Sequence, residues 1–185
     1  RTVAEQVVAW EPEVLIITSP HQIMYADYFH ISPGRGAAGG MSAFGAAQTK
    51  LRVEYDAPLR DEIVRRAEVA GLRAGTLGER DPSLDHGTFL PLYFLREAGA
   101  DCPILRIGLS GFSPPDHYRL GQCIAQTVEA LGRRAVFIAS GDLSHKLRDD
   151  GPYGFAPEGP EFDHQITGAM AAGDFLRFLT MDPAL

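Results

Sequence analysis

Three short runs, Val14–Thr18 (VLIIT), Pro103–Leu109 (PILRIGL) and Ala135–Ala139 (AVFIA), are apolar at nearly every position. A strand with one face in water alternates apolar and polar residues, so runs like these predict strands buried on both faces. Something must then cover each face. The intervening segments have the right pattern to do it. Thr2–Trp10 carries Val3, Val7, Val8 and Trp10 on roughly one helical face, and Pro12 ends it. Ala57–Ala70 turns Leu59, Ile63, Val64 and Ala67 inward and stops at Gly71. Phe89–Glu97, with Thr88 as its cap, and Pro115–Leu131, with Leu120, Ile124, Val128 and Leu131 on one face, repeat the pattern. Strand and helix alternate, which predicts an α/β fold: a central, mostly parallel sheet with helices on both faces, in a single domain over residues 1–185.

Other segments read less sharply. Gly34–Gly45 holds glycines at 34, 36, 39, 40 and 45, predicting a flexible loop or a lid over a cleft. It lacks the Lys-Ser/Thr ending of a phosphate-binding loop. Lys50–Tyr55 alternates like a short strand, and Gly75–Gly78 has room only for a very short one. Glu79–Gly87 (ERDPSLDHG) is a polar loop, Gly151–Pro160 a second glycine and proline loop, and two helical pieces fill Glu161–Leu179.

The formal charge of −7 argues against a nucleic-acid partner or an anionic membrane surface, since neither would meet a basic footprint. The two cysteines, Cys102 and Cys123, cannot form a disulfide framework and read as small hydrophobes in a reducing compartment. With no apolar run near the ~20 residues of a membrane span and no secretory leader, the expectation is a cytoplasmic protein. Both ends read as cut: Arg1 starts inside a helix, and Met181–Leu185 supplies no closing strand.

Two of the apolar runs end in a small polar turn followed by a histidine. VLIIT leads to Ser19-Pro20-His21, and AVFIA leads through Ser140-Gly141-Asp142 to His145. In a parallel α/β sheet the carboxyl ends of the strands share one edge, so residues distant in sequence can meet there. His86, in the loop LDHGT, belongs with them. Taken singly, each of the three is equally well explained by turn hydrogen bonds. Together they suggest a metal, a general base or both, with Asp85, Asp142 and Glu161 as nearby carboxylates. His30 in YADYFHIS reads as packing or rim, while His117 and His164 read as capping or surface residues. A serine hydrolase finds little support, because Ser140 and Ser144 do not form a G-x-S-x-G elbow. Structural-zinc Cys–His spacing is lacking, and paired aspartates at metal-bridging spacing, which a metal-dependent hydrolase would use, are not seen.

SPH at 19–21, LDHGTFLPL at 84–92, and SGDLSH at 140–145 followed by GPYGFAPEGPEFD at 151–163 resemble, in order, the class III extradiol ring-cleavage dioxygenases. The closest likeness is to the catalytic-subunit-B superfamily, which includes the Memo-like proteins. The resemblance implies a mononuclear non-haem Fe(II), or another divalent metal, held by two histidines and a carboxylate with positions left open for a catecholate and O₂. It maps a metal ligand onto His21 and the acid/base histidine onto His145. It maps a second active-site histidine, in contact with substrate or oxygen, onto His86, with Asp85 beside it in the substrate-binding loop. The other family ligands map outside residues 1–185: a histidine before Arg1 and a glutamate after Leu185. The implied partners are a small aromatic diol and O₂, with room for a homo-oligomer. The alternative from the same resemblance is a Memo-like metal-binding or interaction protein without ring cleavage, in which cysteine stands for that carboxylate.

Overall fold

The computed structural model describes residues 2–181. In chain order the helices and strands are α1 (Val3–Ala9), β1 (Val14–Ser19), β2 (Phe29–His30), β3 (Gly36–Met41), β4 (Ala46–Glu54), α2 (Ala57–Val69) and β5 (Ala74–Gly75). They continue with α3 (His86–Glu97), β6 (Ile104–Gly108), α4 (Pro114–Ala130), β7 (Ala135–Ala139) and α5 (Glu158–Ala172). The contacts fall into two compact units, Arg1–Ser140 and Gly141–Leu185.

The first unit is built on a three-stranded parallel sheet in the order β6-β1-β7, with Leu15 opposite Ile104 on one side and Val136 on the other. Alternate residues of β1 face opposite layers. Leu15 and Ile17, with Ile104 of β6, pack against Val7 of α1 and Phe89, Leu92 and Leu95 of α3. Val14 and Ile16, with Leu105 and Ile107, pack against Leu59, Ile63 and Ala67 of α2 and Leu120, Cys123 and Ile124 of α4. Each fully buried Leu or Ile contributes about 1.5–3 kcal/mol relative to exposure, and that gain accounts for unbroken apolar strands between two helical layers. The α/β class, the parallel sheet and the cover on both faces are as the sequence predicts. β7 differs. It lies at one edge of the sheet; β6, at the other, is covered by bridges to Ile31 and Tyr55 and is fully buried, whereas Phe137 of β7 is 51% exposed, so this run is not buried on both faces.

The largest departure is the glycine-rich stretch. β3 and β4 form an antiparallel hairpin pairing Gly36 with Glu54 and Gly40 with Lys50, closed by a 3-10 turn at Ser42–Phe44 and by Gly45 at φ 80°. The glycines allow close approach more than mobility: a Cβ on Gly39 would lie 2.8 Å from that of Leu84. A two-residue parallel pairing of β2 with β5 completes the strands of this unit. α3 begins two residues before the expected cap, because the Asp85 carboxylate captures the Thr88 amide at 3.0 Å and places the N-cap at Asp85.

In the second unit a loop is pinned to α5. The Ser144 amide donates to Asp163 Oδ1 at 2.7 Å, and Leu147 bridges Phe155. Gly173, at φ 67°, ends α5 ahead of a 3-10 turn at Phe175–Leu179. No helix among the described residues is long and apolar enough to cross a membrane.

Candidate active site

At the carboxyl end of β1, Ser19 is fully buried and its hydroxyl serves two elements. Ser19 Oγ accepts from the His21 amide at 3.2 Å, fixing the turn, and donates to Asp85 Oδ1 at 2.6 Å, fixing the start of α3. His86 is the first residue of that helix. Gly87 permits the approach, since a Cβ there would meet Ser19 Oγ at 2.6 Å and the His21 ring at 3.1 Å. The result is a contact between two imidazoles from opposite parts of the unit: the His21 and His86 ring centroids are 3.9 Å apart, tilted by 42°. Phe44, from the hairpin turn, stands 5.4 Å from His86.

Asp85 is committed to holding this arrangement. Besides Ser19 and the Thr88 amide, its Oδ2 accepts from the Thr88 hydroxyl at 2.8 Å, and Arg106 Nη1 lies 3.9 Å away. Burial alone would raise its pKa, but the hydrogen bonds from Ser19 and Thr88 and the Arg106 charge outweigh it and hold the carboxyl below its ordinary range. Asp85 thus fixes the start of the helix that opens at His86, in the loop the family resemblance assigns to substrate binding.

Arg106, which lines the site's cavity, carried no expectation from the sequence. It is buried in β6, 1% exposed. Its Nε donates to Ser32 Oγ at 2.7 Å, Nη1 to the Ser83 carbonyl at 2.6 Å and Nη2 to Glu79 at 3.0 Å. The guanidinium thus ties together the segment after β2 and the loop that carries Asp85 and His86. A lone arginine inside PILRIGL was the available signal, because a charge in a buried strand requires partners. His30 joins the same cluster. It is fully buried rather than at a rim, with Nδ1 3.0 Å from the Leu77 carbonyl and Nε2 3.6 Å from Glu79. Gln22 donates to Ser32, and Tyr55, whose phenol is pushed up by burial against the opposing charge of Arg106, faces the same groups. Among the described residues, Gln22 Oε1, His30 Nε2 and Tyr55 Oη are buried without hydrogen-bond partners. A cavity of about 220 Å³, lined by His21, Gln22, Ser83, Asp85 and Arg106 among others, opens beside this cluster. A larger cleft of about 960 Å³ between the hairpin and residues 81–83 is lined by none of the expected histidines.

His145 belongs to the second unit. Its ring stacks on Tyr153 with centroids 4.9 Å apart, and Nε2 lies 3.5 Å from Asp142 Oδ2. More than half of its side chain is exposed. His117 rests edge-on against Phe29 with Nδ1 3.1 Å from the Ser113 carbonyl, and His164 is exposed on α5. Cys123 is buried and Cys102 half-buried, as their apolar surroundings suggested.

The family described as the catalytic LigB subunit of aromatic ring-opening dioxygenase matches residues 1–185. The chain belongs to the LigB family. Among curated relatives, Protein CA_C1420 of Clostridium acetobutylicum is 31% identical over 196 residues, covering 97% of this chain and 40% of that protein. The 2,3-dihydroxyphenylpropionate/2,3-dihydroxicinnamic acid 1,2-dioxygenase of Escherichia coli is 27% identical over 154 residues, covering 77% of this chain and 46% of that enzyme. The chain therefore spans less than half the length of either relative.

The Fe(II) that the LigB resemblance implies needs two imidazoles and a carboxylate. Among the described residues, no group of three or more His, Cys, Asp or Glu side chains gathers to hold an ion. His21 and His86 bring imidazoles, but Asp85, beside them, already has both oxygens engaged. These donors do not complete the set.

Proposed function

We propose that this LigB-family chain forms part of a cytoplasmic, non-haem Fe(II)-dependent extradiol dioxygenase that opens the ring of a small catechol-type diol with O₂. The observation that carries the reading is the His21–His86 pair, built at the carboxyl end of β1 by Ser19, Asp85 and Gly87. The dioxygenase named among the relatives supports it. Bound Fe(II) would supply open positions for the diol and O₂. His21 is the ligand assigned to this chain, the remaining ligands lying outside residues 1–185. His86 contacts the substrate or oxygen.

A catechol must lose protons as it reacts, and a solvent-reached imidazole is suited to take and return one. That role falls to His145, whose ring is oriented by Tyr153 stacking and by Asp142. The test is anaerobic reconstitution of the full-length protein with Fe(II), followed by O₂ uptake across a panel of catechols. Uptake with ring-opened product supports the reading. Iron binding without uptake from any catechol would sink it and favour a metal-binding relative without ring cleavage.

A further inference from the structure

The hairpin of β3 and β4 does more than fill space. Its base is anchored: the Leu84 amide donates to the Ala38 carbonyl at 3.1 Å, Gly39 abuts Leu84, and Ala37, Met41 and Val53 are buried in the core. Leu84 immediately precedes Asp85 and His86, so the hairpin is registered against the loop that positions the histidine pair. The turn beyond it is closed by Gly45 in the left-handed region, and it presents Phe44, which is 62% exposed. Its ring leans on His86, which in turn touches His21.

Phe44, His86 and His21 form a contiguous row of three rings, with Phe44 and His21 exposed and His86 half-buried. The chemistry of such a row is specific. Aromatic faces attract another planar ring in offset or edge-to-face geometry, while a saturated ring of the same size gains only contact area. The phenyl ring cannot ligate a metal or exchange a proton, so its part is confined to recognition.

We propose that Phe44 is a specificity residue that contacts the substrate, the hairpin turn holding its ring against the aromatic nucleus of the diol beside His86. This deepens the ring-cleavage reading and rests on it for the substrate class. The contact favours aromatic over saturated diols.

Two measurements test it. In the Fe(II)-reconstituted protein, Phe44→Ala should raise KM for catechol roughly two- to tenfold, the worth of one aromatic pair, with kcat nearly retained. Phe44→Trp should restore KM, and Phe44→Leu should not. Independently of turnover, a Phe44→Trp protein in which Trp10 and any tryptophan outside residues 1–185 are replaced by Phe carries its single tryptophan at the turn. Catechol added anaerobically should quench its fluorescence saturably, and trans-1,2-cyclohexanediol should not.

Unchanged KM in Phe44→Ala together with unquenched fluorescence, in a protein that still opens catechol rings, overturns the role of Phe44 and leaves the ring-cleavage reading standing. If the wild-type protein consumes no catechol, that reading fails, and the fluorescence decides the proposal alone. Saturable quenching specific to catechol then upholds an aromatic-ring contact at Phe44, and its absence overturns it.

Discussion

At the scale of single residues, the site depends on polar groups placed where water does not reach. Arg106 is the clearest case. Its guanidinium balances Glu79, which is only 14% exposed, and supplies hydrogen bonds to Ser32 and to the Ser83 carbonyl. Removing one partner of a buried ion pair leaves the other uncompensated, at a cost of about 3–5 kcal/mol. Arg106→Met should lower stability by about that much in urea titration, whereas Arg106→Met/Glu79→Leu should recover most of the loss. An equal loss in both proteins would show that the pair is not the source.

Asp85 makes a matching statement about pH. Its carboxyl is held below the unfolded-state value near 3.9, so its charge stabilises the fold above that value, and the contribution fades as pH falls through the lowered folded-state pKa. Asparagine can still cap a helix, so Asp85→Asn isolates the charge. It should be less stable than the wild type at pH 7, with the gap closing below about pH 4. Thermal melts across that range measure it, and a gap independent of pH would contradict the assignment.

Elements were legible in the sequence where one physical demand governed many residues. VLIIT and its counterpart in β6 could satisfy their pattern only under two helical layers, and the structure supplies α1 and α3 on one side, α2 and α4 on the other. AVFIA was legible as a strand but not as an exposed one: both β6 and β7 are edges, and only β6 is covered, by Ile31 and Tyr55 from segments distant in sequence. The glycine-rich stretch was illegible for a different reason. Glycine serves both mobility and close approach, and the choice was made by Leu84, some 45 residues beyond Gly39. The start of α3 turned on a competition between two good caps, Asp85 and Thr88, which Asp85 won because Ser19, far away in sequence, also binds it.

Gly87 carries this lesson into a test. Alanine is the better helix former by about 1 kcal/mol, yet a Cβ there would crowd Ser19 Oγ and the His21 ring. Gly87→Ala should therefore lower the melting temperature rather than raise it. A stabilised variant would mean that the end of β1 yields easily.

For the molecule as a whole, strand-end logic brought two of the three expected histidines together. His21 and His86 lie in the first unit and are in contact; His145 lies in the second, beside Asp142 and Tyr153. The roles proposed for them predict distinct losses. His21→Ala should abolish iron binding, read as metal stoichiometry, and unchanged stoichiometry would remove it from the ligand set. His145→Ala should keep its iron and slow turnover by 10²–10⁴-fold, the usual worth of general acid–base catalysis. Loss of iron from that variant would mean that the two roles are exchanged.

One hydroxyl, that of Ser19, receives the backbone of the His21 turn and grips the residue that starts the His86 helix. The supports of the two imidazoles therefore share one anchor. Loss of that hydroxyl would remove both bonds at once, one from the support of each ring. Two loops from distant parts of the chain thus lean on one buried serine.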